Sequence, residues 1–122
     1  MIRPLVYISG PYTGGKGPVN NTARAMQLAD QFFHDGIVWP HTPHLSLYQQ
    51  MLSNLDYETW LEYDLDYIIS SRVDGVYRMK GDSPGADREV LEAMNAEIPV
   101  FHDIKGLYDW AQPGYLRDKL GR

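Results

Sequence analysis

The sequence has no cysteine among its 122 residues. That excludes a disulfide framework and a thiolate-bound zinc. It also lacks any run close to the ~20 apolar residues of a membrane-spanning helix. The apolar stretch near the start is too short for a secretory signal core, and Pro11 interrupts it, so a cytoplasmic protein with no membrane partner is expected. Basic residues are few and scattered: 11 Lys and Arg stand against 16 Asp and Glu, a formal charge of −5. Such a surface repels polymeric nucleic acid. Repeats, linkers and low-complexity tracts are also missing, so one domain over residues 1–122 is expected, large enough to bury a core unaided. These exclusions leave a small molecule as the expected partner.

What is present is an alternation of strand-like and helix-like periods. Leu5-Val6-Tyr7-Ile8 is a short apolar run closed by Ser9-Gly10-Pro11, the pattern of a buried parallel strand. Ala25, Leu28, Ala29 and Phe32 recur at helical spacing from about Asn21 to Asp35, with Asn20 or Asn21 to cap the start and Gly36 to end it. Ile37-Val38-Trp39 reads as a second strand broken by Pro40, and residues 41–54 as a loop with a short helix inside it. The spacing of Leu61, Leu65, Ile68 and Ile69 predicts a helix over 57–71 with those four on its core face. A strand over 73–79, a helix over 83–97 and a strand over 98–101 follow, the last at an edge because of Pro99. One or two short helices are expected from Ile104 onward.

Strands alternating with helices imply right-handed crossovers and a parallel sheet. The expected fold is α/β: a flavodoxin-like, doubly wound parallel sheet of four to five strands, helices on both faces. In that order ligands bind where the first and third strands diverge. Two unusual loops fall there, Ser9-Gly10-Pro11-Tyr12 running on to Gly17, and Lys80 to Ala86. Neither has the glycine spacing of a Walker A loop or a dinucleotide fingerprint, so no cofactor is expected. Ordinary glycine-rich turns are the competing reading of the first loop. In the second, Ser83 is a natural N-cap and Pro84 fits the first helical position. The N–H groups of Gly85 and Ala86 are then expected free to receive an anion, and Asp82 is expected to face solvent.

Glu89, six residues after the cap, can serve as a nucleophile beside that crevice or be a solvated helix glutamate. On the helix over 57–71, Tyr57, Trp60, Asp64 and Tyr67 share a second face. Its rings can stack a base, and desolvation would raise Asp64 towards acid duty; the alternative is a packing or dimer surface. His41 and His44 resemble a ligand pair, but Pro43 between them forbids a regular helix and no third ligand is evident, so no metal is expected.

Val6-Tyr7-Ile8-Ser9-Gly10, the helix carrying Asp64, and Ser83-Pro84-Gly85-Ala86-Asp87-Arg88-Glu89 together resemble the nucleoside 2-deoxyribosyltransferase superfamily. That group includes the 2′-deoxynucleoside 5′-phosphate N-hydrolases. The resemblance covers roughly residues 4 to 103, and its most specific part is the stretch from Ser83 to Glu89. It implies Glu89 as nucleophile at the sugar C1′, Tyr7 as the residue orienting it, Asp64 as the acid, and Ser83 as a 5′-phosphate contact. Asp66 competes with Asp64 for its place, because the interval to Ser83 is longer than in the hydrolases. Substrate contacts are expected from Ser9, Gly10, Pro11 and Tyr12, from Ser83, Gly85 and Ala86, and from Trp60. A homodimer or larger homo-oligomer is expected as well, covering the Tyr57–Trp60–Tyr67 face and Trp110.

The expected chemistry is cleavage of the N-glycosidic bond of a nucleoside 5′-monophosphate, with retention, through a glycosyl-enzyme. Base exchange by a transferase is the alternative, and a sensing module that binds the nucleotide without turnover is another.

Overall fold

The computed structural model describes residues 3–70 and 73–114. Four short strands form one all-parallel sheet in the order β2-β1-β3-β4. β1 (Leu5–Ser9) is central and pairs with β2 (Trp39–His41) on one side. On its other side lies β3 (Gly75–Arg78), and β4 (Val100–Phe101) closes the far edge. This is the expected flavodoxin-like order, with four strands among the described residues. The chain leaves β1 towards β2 and later returns to β3 on the opposite side, so the crevice of a doubly wound sheet opens between the ends of β1 and β3.

Side chains alternate across a strand, and both faces of β1 are covered. Val6 and Ile8 pack against Ala25, Ala29 and Phe32 of α1 (Pro18–Asp35) and Leu107 of α5 (Ile104–Asp109). Tyr7 points the other way, onto Ile68 of α3 (Tyr57–Ser70) and Ala93 of α4 (Pro84–Asn95). Phe32 and Leu107 are fully buried, each contributing about 1.5–3 kcal/mol by burial. A short helix, α2 (Ser46–Ser53), lies outside these layers and buries none of its residues. No helix among the described residues is long and apolar enough to cross a membrane.

Several boundaries differ from expectation for identifiable reasons. α1 begins at Pro18, preceded by Gly17 at φ 91°, because proline at the first helical position loses no hydrogen bond. Neither Asn20 nor Asn21 caps it. Pro40 lies inside β2 rather than ending it, which an edge strand permits because one N–H in two faces away from the sheet. Of the four apolar residues of α3, Ile68 is buried and Leu61 and Leu65 are half-buried, but Ile69 is 55% exposed, because the covered face also takes in Trp60 and Asp64. The short helices after residue 103 are α5 and a π-turn at Trp110–Gly114. Ser71 and residues beyond 114 lie outside the described residues.

Candidate active site

α4 begins as its sequence dictates. Ser83 Oγ accepts a hydrogen bond from the Ala86 N–H at 3.1 Å, and Pro84 opens the helix. The residues that α4 buries are Ala86, Glu89 and Ala93, spaced three and four apart, so the glutamate sits in a stripe of small residues facing the sheet. Opposite it, Tyr7 and Ser9 are two apart on β1 and share a face. The Tyr7 hydroxyl donates to Glu89 Oε2, and Ser9 Oγ donates to Oε1 at 2.7 Å. Glu89 is only 6% exposed. Burial pushes its pKa up, while the two hydroxyl donors and the nearby Arg78 charge pull back. Tyr7 is pushed well above its ordinary value, first by burial and then by the charges of Glu89 and Asp64, so it remains a donor.

Asp64 comes to the same cleft from α3. Burial first, and the Glu89 charge second, raise its pKa from 3.8 to about 8. No hydrogen-bond donor reaches its carboxyl among the described residues. The two hydroxyl donors on Glu89 favour its charged form, whereas burial favours the proton on Asp64. A nucleophile paired with an acid requires that kind of contrast. Asp66 is exposed and outside the cleft.

The cleft measures about 360 Å³, within the range of small-molecule sites. Its walls include Gly10, Tyr12, Trp60, Ser83, Gly85 and Ala86 from the expected set. Ser9 and Pro11 are not on the walls. Ser9 is fully buried with its hydroxyl on Glu89. Pro11 packs against Gly81, where an added Cβ would lie 2.8 Å from the proline Cγ. The first loop is fixed by the buried Asn21, whose amide donates to the Tyr12 and Gly14 carbonyls at 2.9 and 2.7 Å. Gly10 is pressed against the residue that follows β3, since a Cβ there would lie 3.0 Å from Met79 Cβ.

The phosphate end differs from expectation. Ser83 Oγ and the Ala86 N–H satisfy each other, which leaves the Gly85 N–H without a hydrogen bond among the described residues. Asp82 is exposed, as expected, but stands at the rim of the cleft, and Lys16 does not reach the wall.

Other wall residues carried no sequence signal. Leu47 and Gln50 come from α2, and Leu55 from the turn after it. Gln50 ties this segment down: its Oε1 accepts from Trp60 Nε1 at 2.6 Å and from the Leu55 N–H at 2.9 Å. Tyr57, placed on the aromatic face by spacing, lies with its hydroxyl over Gly85; a Cβ there would be 2.6 Å from that oxygen. The two histidines are engaged separately. His41 stacks on Tyr67 with ring centroids 4.0 Å apart. His44 is buried, its Nε2–H donates to the Pro11 carbonyl at 3.0 Å, and burial lowers its pKa. Its Nδ1 has no hydrogen-bond partner among the described residues.

No family model, curated protein or solved structure matches this chain, so its chemistry is read from the geometry and from the resemblance stated above.

Proposed function

We propose that the protein belongs with the nucleoside 2-deoxyribosyltransferase superfamily and cleaves the N-glycosidic bond of a nucleoside or nucleoside 5′-monophosphate, hydrolysis ahead of base transfer. The observation carrying this reading is a buried carboxylate, gripped by two hydroxyls, that shares one cleft with a carboxyl kept protonated by burial. A Glu89 oxygen attacks C1′ as the C1′–N bond breaks. The electron pair leaves on the base nitrogen, which takes the proton of Asp64. Water then attacks C1′, gives its proton to Asp64 and frees Glu89; a second base in place of water gives transfer. Trp60 and Tyr57 offer ring faces to the base. A screen of nucleosides and monophosphates for released base tests the proposal. Ligand-induced thermal stabilisation without base release would point to the sensing module instead.

A second reading of the 5′ end is favoured by the wall itself. Asp64, Asp82 and Glu89 line the cleft, and no Lys or Arg does among the described residues. A dianionic phosphate would meet Asp82 with only the Gly85 N–H to offset it, whereas a 5′-hydroxyl can donate to Asp82. The expected result is at least tenfold better base release from the nucleoside than from its monophosphate, about 1.4 kcal/mol, narrowing in Asp82→Asn. A preference for the monophosphate that shrinks in Ser83→Ala would restore the phosphate reading.

A homodimer is also part of this proposal, but on a different surface from the one expected. Trp110 is partly buried against Phe101, at 5.0 Å between centroids, and Trp60 is partly buried too. Tyr57 of the expected face is 48% exposed, but more exposed apolar side chains cluster on α2, where Tyr48, Met51 and Leu52 are 62, 71 and 84% exposed. Such a patch marks an interface. Light scattering at micromolar concentration should give twice the chain mass, and replacing Met51 and Leu52 by Lys should halve it.

A further inference from the structure

β3 ends on Arg78, whose Cα partner across the β1–β3 ladder is Ser9. Neighbours directly opposite in a sheet share a face. Arg78 therefore leaves the sheet on the side where the Ser9 hydroxyl meets Glu89. A guanidinium at the end of a strand has an easy route to water, yet only 10% of this side chain is exposed. Its donors turn inward and onto its neighbours. Nη1 donates to the Met79 carbonyl, and Nη2 donates to the Gly81 carbonyl at 2.9 Å and to Asp87 Oδ1 at 3.0 Å. Two of these acceptors belong to the loop between β3 and α4, and the third to the first turn of α4. Asp87 is 73% exposed, so that ion pair alone contributes little. The paired carbonyls and the burial keep the side chain in place.

The charges around Glu89 are lopsided. From β1 it meets the Tyr7 and Ser9 hydroxyls, both donors. From α3 it faces Asp64 and the Tyr57 phenol. On its own helix Arg88 is turned outward, with 54% of its side chain exposed, towards Glu92. The cation that acts on Glu89 comes from β3 and is Arg78. It is not among the residues lining the cleft.

We propose that Arg78 is a positioning residue for Glu89: it clasps the β3–α4 loop from behind and supplies the positive charge that the cleft wall lacks. This rests on the reading of Glu89 as the nucleophile. A carboxylate buried beside a second carboxyl takes up a proton readily, and a protonated Glu89 cannot attack C1′. Asp64 and Glu89 repel each other once both are ionised, and a fixed cation on the Glu89 side adds to the two hydroxyl donors in keeping the charge there. The roles of acid and nucleophile are thus assigned partly by a residue outside the cleft.

The test follows the Glu89 side-chain carboxyl by carbon-13 NMR, with the resonance assigned from its loss in Glu89→Gln. The chains compared are the wild type, Arg78→Gln, Arg78→Lys and Asp87→Asn. Glutamine retains donors for the loop carbonyls but carries no charge, so the Glu89 titration midpoint should move up by about one pH unit, tenfold in proton affinity. Lysine keeps the charge and should hold the midpoint near that of the wild type, although it cannot bridge the acceptors as a fork. Asp87→Asn should leave the midpoint in place. In the same series the acid limb of base release should move up with the midpoint in Arg78→Gln alone. A midpoint unchanged in Arg78→Gln, or shifted equally in Arg78→Lys, overturns the proposal. The midpoint is read on the free protein and does not depend on turnover. A shifted midpoint in a protein that releases no base would overturn the glycosidase reading instead.

Discussion

Glu89→Gln is expected to lower base release by about 10³-fold or more while leaving the fold and ligand affinity intact. The amide matches the carboxylate in shape but is a far poorer nucleophile. Its surroundings tolerate the exchange because Tyr7 and Ser9 meet Glu89 through hydroxyls, which rotate and either donate or accept. One hydroxyl keeps donating to the amide oxygen, and the other accepts from the amide nitrogen. Burial opposes the charge on Glu89, so the neutral side chain should leave thermal stability unchanged or raise it. Pre-steady-state base release and a melting curve on the same preparation separate the two effects. Near-normal turnover in this variant would refute the nucleophile assignment.

Asp64→Asn is expected to cost about 10²–10⁴-fold, the range of a single general acid. The wild type should also lose activity above an alkaline limb near pH 8, where Asp64 gives up its proton, and that limb should vanish in the variant. Stability should follow the same group. Asp64 titrates near 3.8 when exposed and at about 8 in the folded chain. Between those values the unfolded chain has released a proton that the folded chain retains, so stability falls as pH rises. Melting temperatures at pH 5 and pH 9 should therefore differ less in Asp64→Asn than in the wild type. An alkaline limb that survives in the variant would assign the acid elsewhere.

The layout of the fold was legible because it follows from periods and punctuation. Alternating strands and helices gave the parallel sheet, and with it the crevice between β1 and β3. Ser83 and Pro84 marked the start of α4, which placed Glu89 beside the crevice. Side-chain direction was harder to read. Spacing groups Leu61 with Ile68 and Ile69 but does not say which face of α3 the sheet receives, and the structure turns Asp64 inward while Ile69 stays wet. Hydrogen-bond pairing between loop atoms was equally hidden. The same geometry that makes Ser83 a good cap consumes the Ala86 N–H that the sequence suggested for an anion. α2 has no side-chain N-cap, and its C-cap Asn54 ends the helix without saying what it packs on, so nothing local announced that Leu47 and Gln50 would wall the cleft.

The chemistry and the core share residues on one side of this site, and the other side is separate from both. Tyr7 and Ser9 have no exposed surface; they belong to the central strand, so altering how Glu89 is held means altering the part of the chain that folds most cooperatively. α2 is the reverse case, with no buried residue and a tie through Gln50 to Trp60 and Leu55. If the proposed function holds, changes in which base or sugar is accepted can therefore accumulate in residues 46–55 at little cost to folding, while Glu89 and Asp64 stay fixed. In a directed-evolution setting, a library confined to that ten-residue stretch should yield folded proteins with altered ligand choice far more often than one built on β1.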